Sequence, residues 1–548
     1  MKTICNKAFC ALLLLSAVSC EGEQQLNNMT VISVTLPDSE QTKVSFQEQV
    51  SETGLDLLWE EDDCLIVTGE TSEKYTLSSF SGKNATFKGK PVGGDLFDII
   101  LSQSQDYMVR NYSGQVQSTI NSIEHLEYDA CLKGVSAYED ICFTSEWAQK
   151  HGGTLMQNGC LMLHLKLPQE IDAITRLTLT APEEIFYMTN SASGEISSAL
   201  SLDFEDGTLP SDKIVKGYIM TSMQEAVIES GMTLTLTAET SYGRYVNKFT
   251  PNVPVLLKPG KRNVIRLNAE GWNFIPSLNY KPLRLVSYNV GTFSKYKSEL
   301  GHYSYPEAAA VLAEFGADVV GLNESDNGNN RTEKHYQAQK LASELGADWS
   351  YYFAYAANAY YGNSIVASPA CKVVKEWPSL IIPKDTGLEQ RSMGAVEYED
   401  FVFCVTHFDY MNADVLLSGA KVTTEWALEN YGAGKTAKPV FMVGDLNCIP
   451  EHQAITYLKK YWTMISTDDL TFPCPGPRTK CIDYIFVLNN GADFKVLESE
   501  VITSASVADM TLISDHYPVY VDVVIKSAGA MCELDDFSDN SIYRENNK

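Results

Sequence analysis

The sequence is short of basic residues, and this shortage removes one class of function. Its 548 residues hold 42 Lys and Arg against 70 Asp and Glu, a formal net charge of -28. A protein that coats nucleic acid without sequence preference needs a basic face that displaces counterions from the phosphates. The deficit argues against such a coat, although an enzyme can still meet a phosphate through a bound divalent cation.

Two further absences narrow the class of protein. After the first twenty residues no run approaches the roughly 20 apolar residues that cross a bilayer, which argues against an integral membrane protein. None of the 13 cysteines forms a Cys-x-x-Cys pair, the spacing typical of structural zinc sites. The hydrophobic content of 44% is nevertheless ordinary for packed domains, and the length predicts about three to four of them.

The first twenty residues predict export. Two lysines among the first seven residues precede an apolar run at 8–18, the layout of a secretory signal peptide. The run ends with Ala-Val-Ser-Cys at 17–20, which resembles a bacterial lipobox and implies that Cys20 is lipidated. We therefore expect a signal peptide at 1–20 and a lipoprotein held by acyl chains in the outer membrane or at the cell surface.

Export also permits disulfide bonds among the ten cysteines beyond Cys20. Cys474 and Cys481 flank the loop at 475–478, and a bond between them would close this loop. This pairing is a hypothesis, because sequence alone does not decide disulfide connectivity.

The N-terminal half alternates between apolar and more polar residues. Leucine occupies every second position from Leu161 to Leu167, and 175–180 and 232–237 repeat the period of two. This period is typical of antiparallel strands with one face on a core and the other in water. We expect two β-sandwich domains, at 25–129 and 130–272.

This half offers no pattern of catalytic residue types. His151 and His164 have no His or Cys at ligand spacing and are interpreted as ordinary strand or loop residues. The stretch Leu-Trp-Glu-Glu-Asp-Asp at 58–63 resembles a segment of the fimbrillin-like β domains of exported lipoproteins. The resemblance covers residues 25–272 and implies a surface or adhesive role.

Beyond a linker predicted at 273–282, strands alternate with helices, which indicates an α/β domain at 283–526 followed by an acidic tail at 527–548. The predicted elements are helices at 306–315, 337–345 and 413–431 and strands at 318–322, 402–405 and 440–444.

Polar residues follow or lie within strands of this domain in seven blocks, where α/β sheets tend to place their sites. The blocks are Tyr288-Asn289, Asn323-Glu324, Tyr361-Gly362-Asn363, Thr406-His407-Phe408-Asp409, Gly444-Asp445-Leu446-Asn447, Ile482-Asp483-Tyr484 and Ser514-Asp515-His516. One such block is commonly a turn or a solvated strand end, but seven in one domain predict a shared site.

Taken in order, the blocks resemble the motifs of the endonuclease/exonuclease/phosphatase superfamily with the DNase I-like fold. The resemblance spans residues 283–526 and implies a four-layer α/β sandwich, two sheets packed between helices, with the site at one rim. It also implies hydrolysis of a phosphodiester or phosphomonoester with Mg²⁺, or with Mn²⁺, as the cofactor. Asn323 departs mildly from the pattern, since Gln commonly precedes the Glu.

The resemblance assigns the metal and the general base. Asn289, Glu324 and Asp515 are the expected contacts of the ion, and oxygen ligands of this kind suit magnesium. His516 is the expected general base, a role for which a pKa near neutrality is suited. Asp483 is expected to fix its tautomer and to stabilise the imidazolium.

The resemblance also assigns residues to the substrate. Asp445 and Asn447 are expected to orient the water or the phosphate, and His407 to donate to a nonbridging oxygen. Asn363 and Arg391 match weaker blocks as substrate-binding residues. Two interpretations of Arg391 stay open, contact with phosphate or an ion pair with Glu389.

The leading hypothesis is an exported, lipid-anchored, metal-dependent phosphoric ester hydrolase. The alternative is a cell-surface binding or adhesive lipoprotein whose C-terminal domain is inactive; it predicts missing catalytic residues, and none is missing from the blocks. Nucleic acid, nucleotides, phospholipid head groups and inositol phosphates all stay open as substrates, and the acidic composition mildly disfavours long duplex DNA.

Overall fold

The structure is a computed structural model that describes residues 29–36, 45–48, 55–101 and 110–527. The signal peptide, Cys20 and nearly all of the acidic tail lie outside the described residues. The chain divides into two compact units: one reaches Trp272, and the other begins at Asn273 and includes residues 242–244. Among the described helices, none is long and apolar enough to cross a membrane.

The N-terminal unit is rich in β-sheet, and its largest sheet encloses a core around Trp59, Tyr75 and Phe87. In spatial order its eight strands are Ile141–Cys142, Thr30–Thr35, Asn84–Gly89, Ser72–Ser81, Cys64–Thr68, Phe97–Leu101, Ala130–Val135 and Thr154–Gln157. A short helix, Ser145–Lys150, is capped by the side chain of Thr144.

Two more sheets of this unit pack face to face. Gly217 lies where they meet, and a Cβ at this position would lie 3.0 Å from Leu177 Cδ1. One sheet has the order Ile214–Thr221, Gly159–Lys166 and Arg262–Leu267; the other contains Gly243–Phe249, Leu234–Glu239, Arg176–Thr180, Ala199–Asp206 and Gln115–Thr119. Three two-stranded antiparallel sheets pair Ser45–Glu48 with Leu55–Leu58, Phe186–Tyr187 with Ile196–Ser197, and Ala226–Ile228 with Val255–Leu257.

The pairing corrects two details of the sequence interpretation. The strand Gln115–Thr119 lies in one of the packed sheets, whereas Ala130–Val135 returns to the eight-stranded sheet, so a single cut at 129 does not separate them. Cys160 and Met162, on the face expected to meet water, are buried with Tyr112 and Leu126. A period of two shows which residues share a face but not what covers that face.

The C-terminal unit contains two sheets. The first has the order Ser350–Asn358, Tyr361–Ala367, Val319–Asp326, Tyr280–Asn289, Val519–Lys526 and Phe494–Val501. The second has the order Val373–Glu376, Arg391–Tyr398, Val402–Thr406, Val440–Asp445, Asp483–Leu488 and Trp462–Met464, with Leu380–Ile382 also beside Arg391–Tyr398.

The sheets pack against each other, and helices cover both outer faces. The inner core joins residues such as Leu285 of the first sheet to Val443 of the second, and Gly321 permits the close approach because a Cβ there would lie 2.3 Å from Val443 Cγ2. The described helices are Lys297–Leu300, Tyr305–Glu314, Gln337–Leu345, Ala413–Tyr431 and Gln453–Leu458, with 3₁₀ turns at Gly291–Phe293, Asn330–Thr332 and Met510–Leu512. Their apolar residues join two outer cores, one on each sheet, which makes four layers.

Two sequence predictions in this unit are corrected. The segment 273–282 is not an unpaired linker throughout, because residues 280–282 begin a strand that pairs with 524–526. Cys474 and Cys481 are both free thiols. They contribute to different outer cores, Cys474 on the first sheet and Cys481 on the second, and this separation explains why no bond joins them.

Candidate active site

Strand ends from both sheets meet at one rim of the C-terminal unit, where they form a cleft of about 880 Å³. Of the residues predicted from the blocks, those that line the cleft are Glu324, Arg391, His407, Asp445, Asn447, Asp515 and His516. Asn289, Asn363 and Asp483 are buried and do not belong to its lining. The predicted site residues therefore occupy one region, in two layers.

A β-bulge places Glu324 in the cleft. Leu322 pairs with Ser364 and Ser325 with Gly362, so Asn323 and Glu324 together oppose one residue of the neighbouring strand. Glu324 takes the extra position with φ +57°, a left-handed conformation that is uncommon outside glycine. The result is a half-buried carboxylate at the cleft between buried neighbours on the same strand.

Asp445 lies at the centre of the site. Its Oδ2 atom is 3.1 Å from Asn289 Nδ2, 3.4 Å from His407 Nε2 and 3.6 Å from His516 Nε2. The same Asn289 amide donates to Glu324 Oε1 at 3.2 Å. Burial acts to raise the pKa of Asp445, but the two facing imidazoles outweigh it and the pKa is lowered.

Asp483 holds the second imidazole. It lies directly opposite Asp445 on the neighbouring strand, an arrangement that is unfavourable for two carboxylates alone. Its Oδ2 accepts hydrogen bonds from His516 Nδ1 at 2.9 Å and from Thr471 Oγ1 at 2.6 Å. Nδ1 of His516 is therefore the donor, and Nε2 is the nitrogen that faces Asp445 and the cleft.

These carboxylates also set the charge of the His516 ring. Burial acts to lower the pKa of His516, but Asp483 and Asp445 outweigh burial and raise the pKa to about 10. Among these groups alone the ring is thus protonated at neutral pH, which differs from the near-neutral base expected from the sequence. A divalent cation beside the same carboxylates acts in the opposite direction.

The tautomer of His407 follows from Arg391. Arg391 Nη1 lies 2.9 Å from His407 Nδ1, and both side chains are buried. Because a guanidinium group only donates hydrogen bonds, Nδ1 accepts from Arg391, and this contact favours the tautomer with the ring proton on Nε2, 3.4 Å from Asp445 Oδ2. Arg391 also pairs with Glu389 at 3.0 Å, one of the two interactions considered for it from the sequence.

The sequence profile of the Endonuclease/Exonuclease/phosphatase family matches residues 286–516. This region is an endonuclease/exonuclease/phosphatase family domain. No curated protein matches the chain. The fimbrillin-like resemblance of residues 25–272 stays a prediction.

Several solved structures are similar to this domain. An endonuclease/exonuclease/phosphatase family protein from Bacteroides thetaiotaomicron is 20% identical with a TM-score of 0.37, over 45% of this chain and 99% of that chain. The mannosyl-6-phosphatase of the same organism is 21% identical with a TM-score of 0.37, over 44% and 99%. A Bacteroides vulgatus endonuclease/exonuclease/phosphatase is 16% identical with a TM-score of 0.37, over 45% and 100%.

Asn363 does not take the substrate-binding position that the sequence predicted. Its Oδ1 accepts from Asn323 Nδ2 at 2.9 Å, and its Nδ2 donates to Ser392 O at 3.0 Å. Asn323 also donates to Thr406 O at 2.9 Å and accepts from the backbone N–H of Asp445 at 2.7 Å. The side-chain amides of Asn323 and Asn363 therefore join the two sheets of the C-terminal unit beneath the cleft.

The carboxylate of Asp515 pairs with a lysine that the sequence interpretation missed. Lys295 Nζ lies 2.7 Å from Asp515 Oδ2, and this contact raises the pKa of Lys295, with Glu324 contributing as well. Asp409 accepts hydrogen bonds from the backbone N–H groups of Glu389 and Met411 and so braces its loop.

Two sets of residues can hold a cation. Glu324 and Asp445 converge on the Asn289 amide from either side, and such hard oxygen ligands match those that Mg²⁺ takes in proteins. Ligand atoms of Asp445, Asp483 and His516 also lie within 4.8 Å of one another. The second set includes the imidazole nitrogen of His516, and its Asp483 Oδ2 already accepts two hydrogen bonds, so the first set, whose ligands are carboxylate oxygens, fits magnesium better.

Proposed function

We propose that the endonuclease/exonuclease/phosphatase family domain hydrolyses phosphoric esters by attack of water on phosphorus, with Mg²⁺ or Mn²⁺ held at the carboxylates of Glu324 and Asp445, beside the Asn289 amide. The observation that carries this proposal is the convergence of Glu324, Asp445 and His516 around one cleft. A bound divalent ion supplies Lewis acidity at a phosphoryl oxygen.

His516 and Asp483 act on the attacking water. Because Nδ1 donates to Asp483, the cleft-facing Nε2 is the atom that takes the proton of the water. Asp445 lies 3.6 Å from this nitrogen, too far for a direct hydrogen bond, and both groups can contact the same water molecule. Asp483 keeps the ring oriented and stabilises the imidazolium that forms.

His407 and Asn447 act on the phosphate. His407 Nε2 and Asn447 Nδ2 lie 3.0 Å apart at the cleft, and Asn447 Nδ2 also donates to Phe408 O. Donors fixed in place before the reaction stabilise negative charge as it develops on nonbridging oxygens. Asp515 contributes through its pair with Lys295, which adds a positive charge near Glu324.

The test uses the full chain with a generic aryl phosphodiester and an aryl phosphomonoester, each with Mg²⁺ and with Mn²⁺. Glu324→Gln and His516→Asn are expected to lower kcat/KM by at least about a hundredfold, the scale of a lost general base. His302→Asn is the matched control, because His302 is 51% exposed and outside the cleft lining. Full activity in both site variants, with unchanged circular dichroism, would contradict the mechanism.

We further propose that the protein is an exported lipoprotein anchored through Cys20. The support is the sequence at 1–20 alone, and the anchor would place the hydrolase at a membrane surface. Mass spectrometry of the protein isolated from its host is expected to find an acylated N-terminal Cys20 peptide; an unmodified Cys20 would contradict the anchor.

A further inference from the structure

Four cationic side chains line the cleft although the chain as a whole is acidic. These residues are Arg331, Lys384, Arg391 and Lys480. The acidic residues of the lining are Glu324, Asp445, Asp515 and Glu389, and the proposed chemistry uses the first three of them. The cleft therefore contains cations, Arg331 among them, that the proposed chemistry does not use.

Arg331 is held in place before any ligand binds. Its Nε and Nη2 atoms donate to the two carboxylate oxygens of Asp326, at 2.7 Å and 2.9 Å. Asp326 is fully buried and also accepts from Asn329 Nδ2 and Thr332 Oγ1. The guanidinium carbon lies 5.0 Å from the centre of the Tyr361 ring, which also fixes its plane.

The guanidinium keeps one edge for a ligand. Both bonds to Asp326 use the Nε and Nη2 edge, and Nη1 forms no hydrogen bond within the part of the chain that the structure describes. The side chain is 55% exposed and lines the cleft together with Glu324 and Tyr361. A preorganised guanidinium binds an anion without first losing side-chain freedom.

We propose that Arg331 forms a second anion-binding subsite in the cleft, so that the substrate is a small phosphoester that carries a further phosphate or carboxylate group. The inference rests on the proposed function, because it places the scissile phosphate at the Glu324 end of the same cleft. A volume of about 880 Å³ is in the range of small-molecule sites, and the net charge of -28 disfavours a long nucleic acid.

Stabilisation of the buried Asp326 carboxylate does not by itself explain the whole arrangement of Arg331. A buried carboxylate requires partners, and Arg331 supplies two hydrogen bonds to Asp326. That requirement does not explain why the arginine is more than half exposed at the wall of a cleft that contains three other cations. The two explanations predict different results when both partners are replaced together.

Binding of two matched probes separates these explanations. Methylphosphonate carries one anionic group, and phosphonoacetate carries the same phosphonate with a carboxylate added; neither is a phosphoric ester. Isothermal titration calorimetry with the full chain and saturating Mg²⁺ is expected to give at least about tenfold tighter binding of phosphonoacetate, the factor of one charge-assisted hydrogen bond.

Variants of Arg331 and Asp326 test whether Arg331 causes the tenfold difference in affinity. Arg331→Gln leaves the buried Asp326 carboxylate without its cationic partner, so Asp326→Asn/Arg331→Gln is the variant designed to fold. In this double variant the ratio of the two affinities is expected to fall to about one. Lys340→Gln is the control, since Lys340 is an exposed cation of the helix Gln337–Leu345 outside the cleft lining. A ratio near one in the wild type, or a tenfold ratio in the double variant, would overturn the subsite.

Failure of the subsite can be told apart from failure of the proposed function. If methylphosphonate does not bind in the presence of Mg²⁺, both are contradicted; if it binds and the ratio is near one, only the subsite is. A trinucleotide that binds tighter than phosphonoacetate, and loses this advantage in the double variant, would assign the second anion to a nucleic acid and overturn the small-molecule substrate.

Discussion

At the scale of single residues, the site depends on which groups donate and which accept. Arg391 can only donate, and its bond to His407 Nδ1 is therefore incompatible with a proton on that nitrogen. His407 Nε2 in this arrangement lies 3.4 Å from Asp445 Oδ2. Arg391 is accordingly a positioning residue that orients His407 for its proposed role as a donor to the phosphate.

Replacement of Arg391 is expected to change the tautomer of His407. In ¹⁵N spectra of histidine-labelled protein, with His407→Gln used for assignment, the wild type should show a protonated Nε2 and an unprotonated Nδ1. Arg391→Met should mix the tautomers and lower kcat by at least about tenfold, the scale for partners behind an active-site ligand. Arg391→Lys keeps one donor and should restore the tautomer in part; a tautomer unchanged in Arg391→Met would contradict the assignment.

At the scale of elements, the close packing of the two sheets fixes the distances in the site. Gly321 has no side chain where the strand of Glu324 crosses the strand of Asp445, and a Cβ there would meet Val443 Cγ2 at 2.3 Å and Val405 Cγ2 at 3.1 Å. A larger residue at this point must push the sheets apart. Since the sheets supply different members of the site, we expect the spacing to affect the proposed activity as well as stability.

Gly321→Ala is expected to lower the free energy of unfolding by about 1–3 kcal/mol, the usual effect of overpacking. Denaturant unfolding of the full chain measures this change. Val443→Ala removes the opposing methyl groups and should recover part of the loss in the double variant, although alone it is destabilising. Additive losses in the double variant would show that the two side chains do not interact.

The sequence predicted the elements of this domain better than it predicted their contacts. Helical periodicity indicated 337–345 and 413–431, and the structure has helices with the same bounds. Local periodicity works here because the buried face of each helix repeats within a few residues. The resemblance to the family supplied the order of the blocks, and the structure brings those blocks to one rim.

What the sequence did not provide are contacts between residues that are far apart along the chain. Lys295 and Asp515 are 220 positions apart, and Asn323 and Asp445 are 122 apart, so no spacing rule connects them. Asn363 carried a polar side chain in a block and was assigned to the substrate, whereas its amide is used inside the fold. A polar residue at a strand end can face the cleft or lie behind it, and only the packing of the two sheets decides between these positions.

At the scale of the whole molecule, the two compact units have separate cores, and the candidate metal ligands belong to one of them. A ligand that binds only the folded state raises stability according to its concentration and affinity, by about 2.7 kcal/mol at a hundredfold excess over Kd. Mg²⁺ should therefore raise the thermal stability of the C-terminal unit in the full chain.

The expected result of a Mg²⁺ titration is a concentration-dependent rise in Tm that Glu324→Gln removes and His302→Asn keeps. Phe87→Ala creates a cavity in the core of the N-terminal unit and should lower the stability of that unit by about 3–5 kcal/mol, while the Mg²⁺ shift of the C-terminal unit remains. Differential scanning calorimetry follows both effects. Loss of the shift in Phe87→Ala, or its persistence in Glu324→Gln, would contradict a metal site built by Glu324, because stabilisation by the ion then depends on other groups.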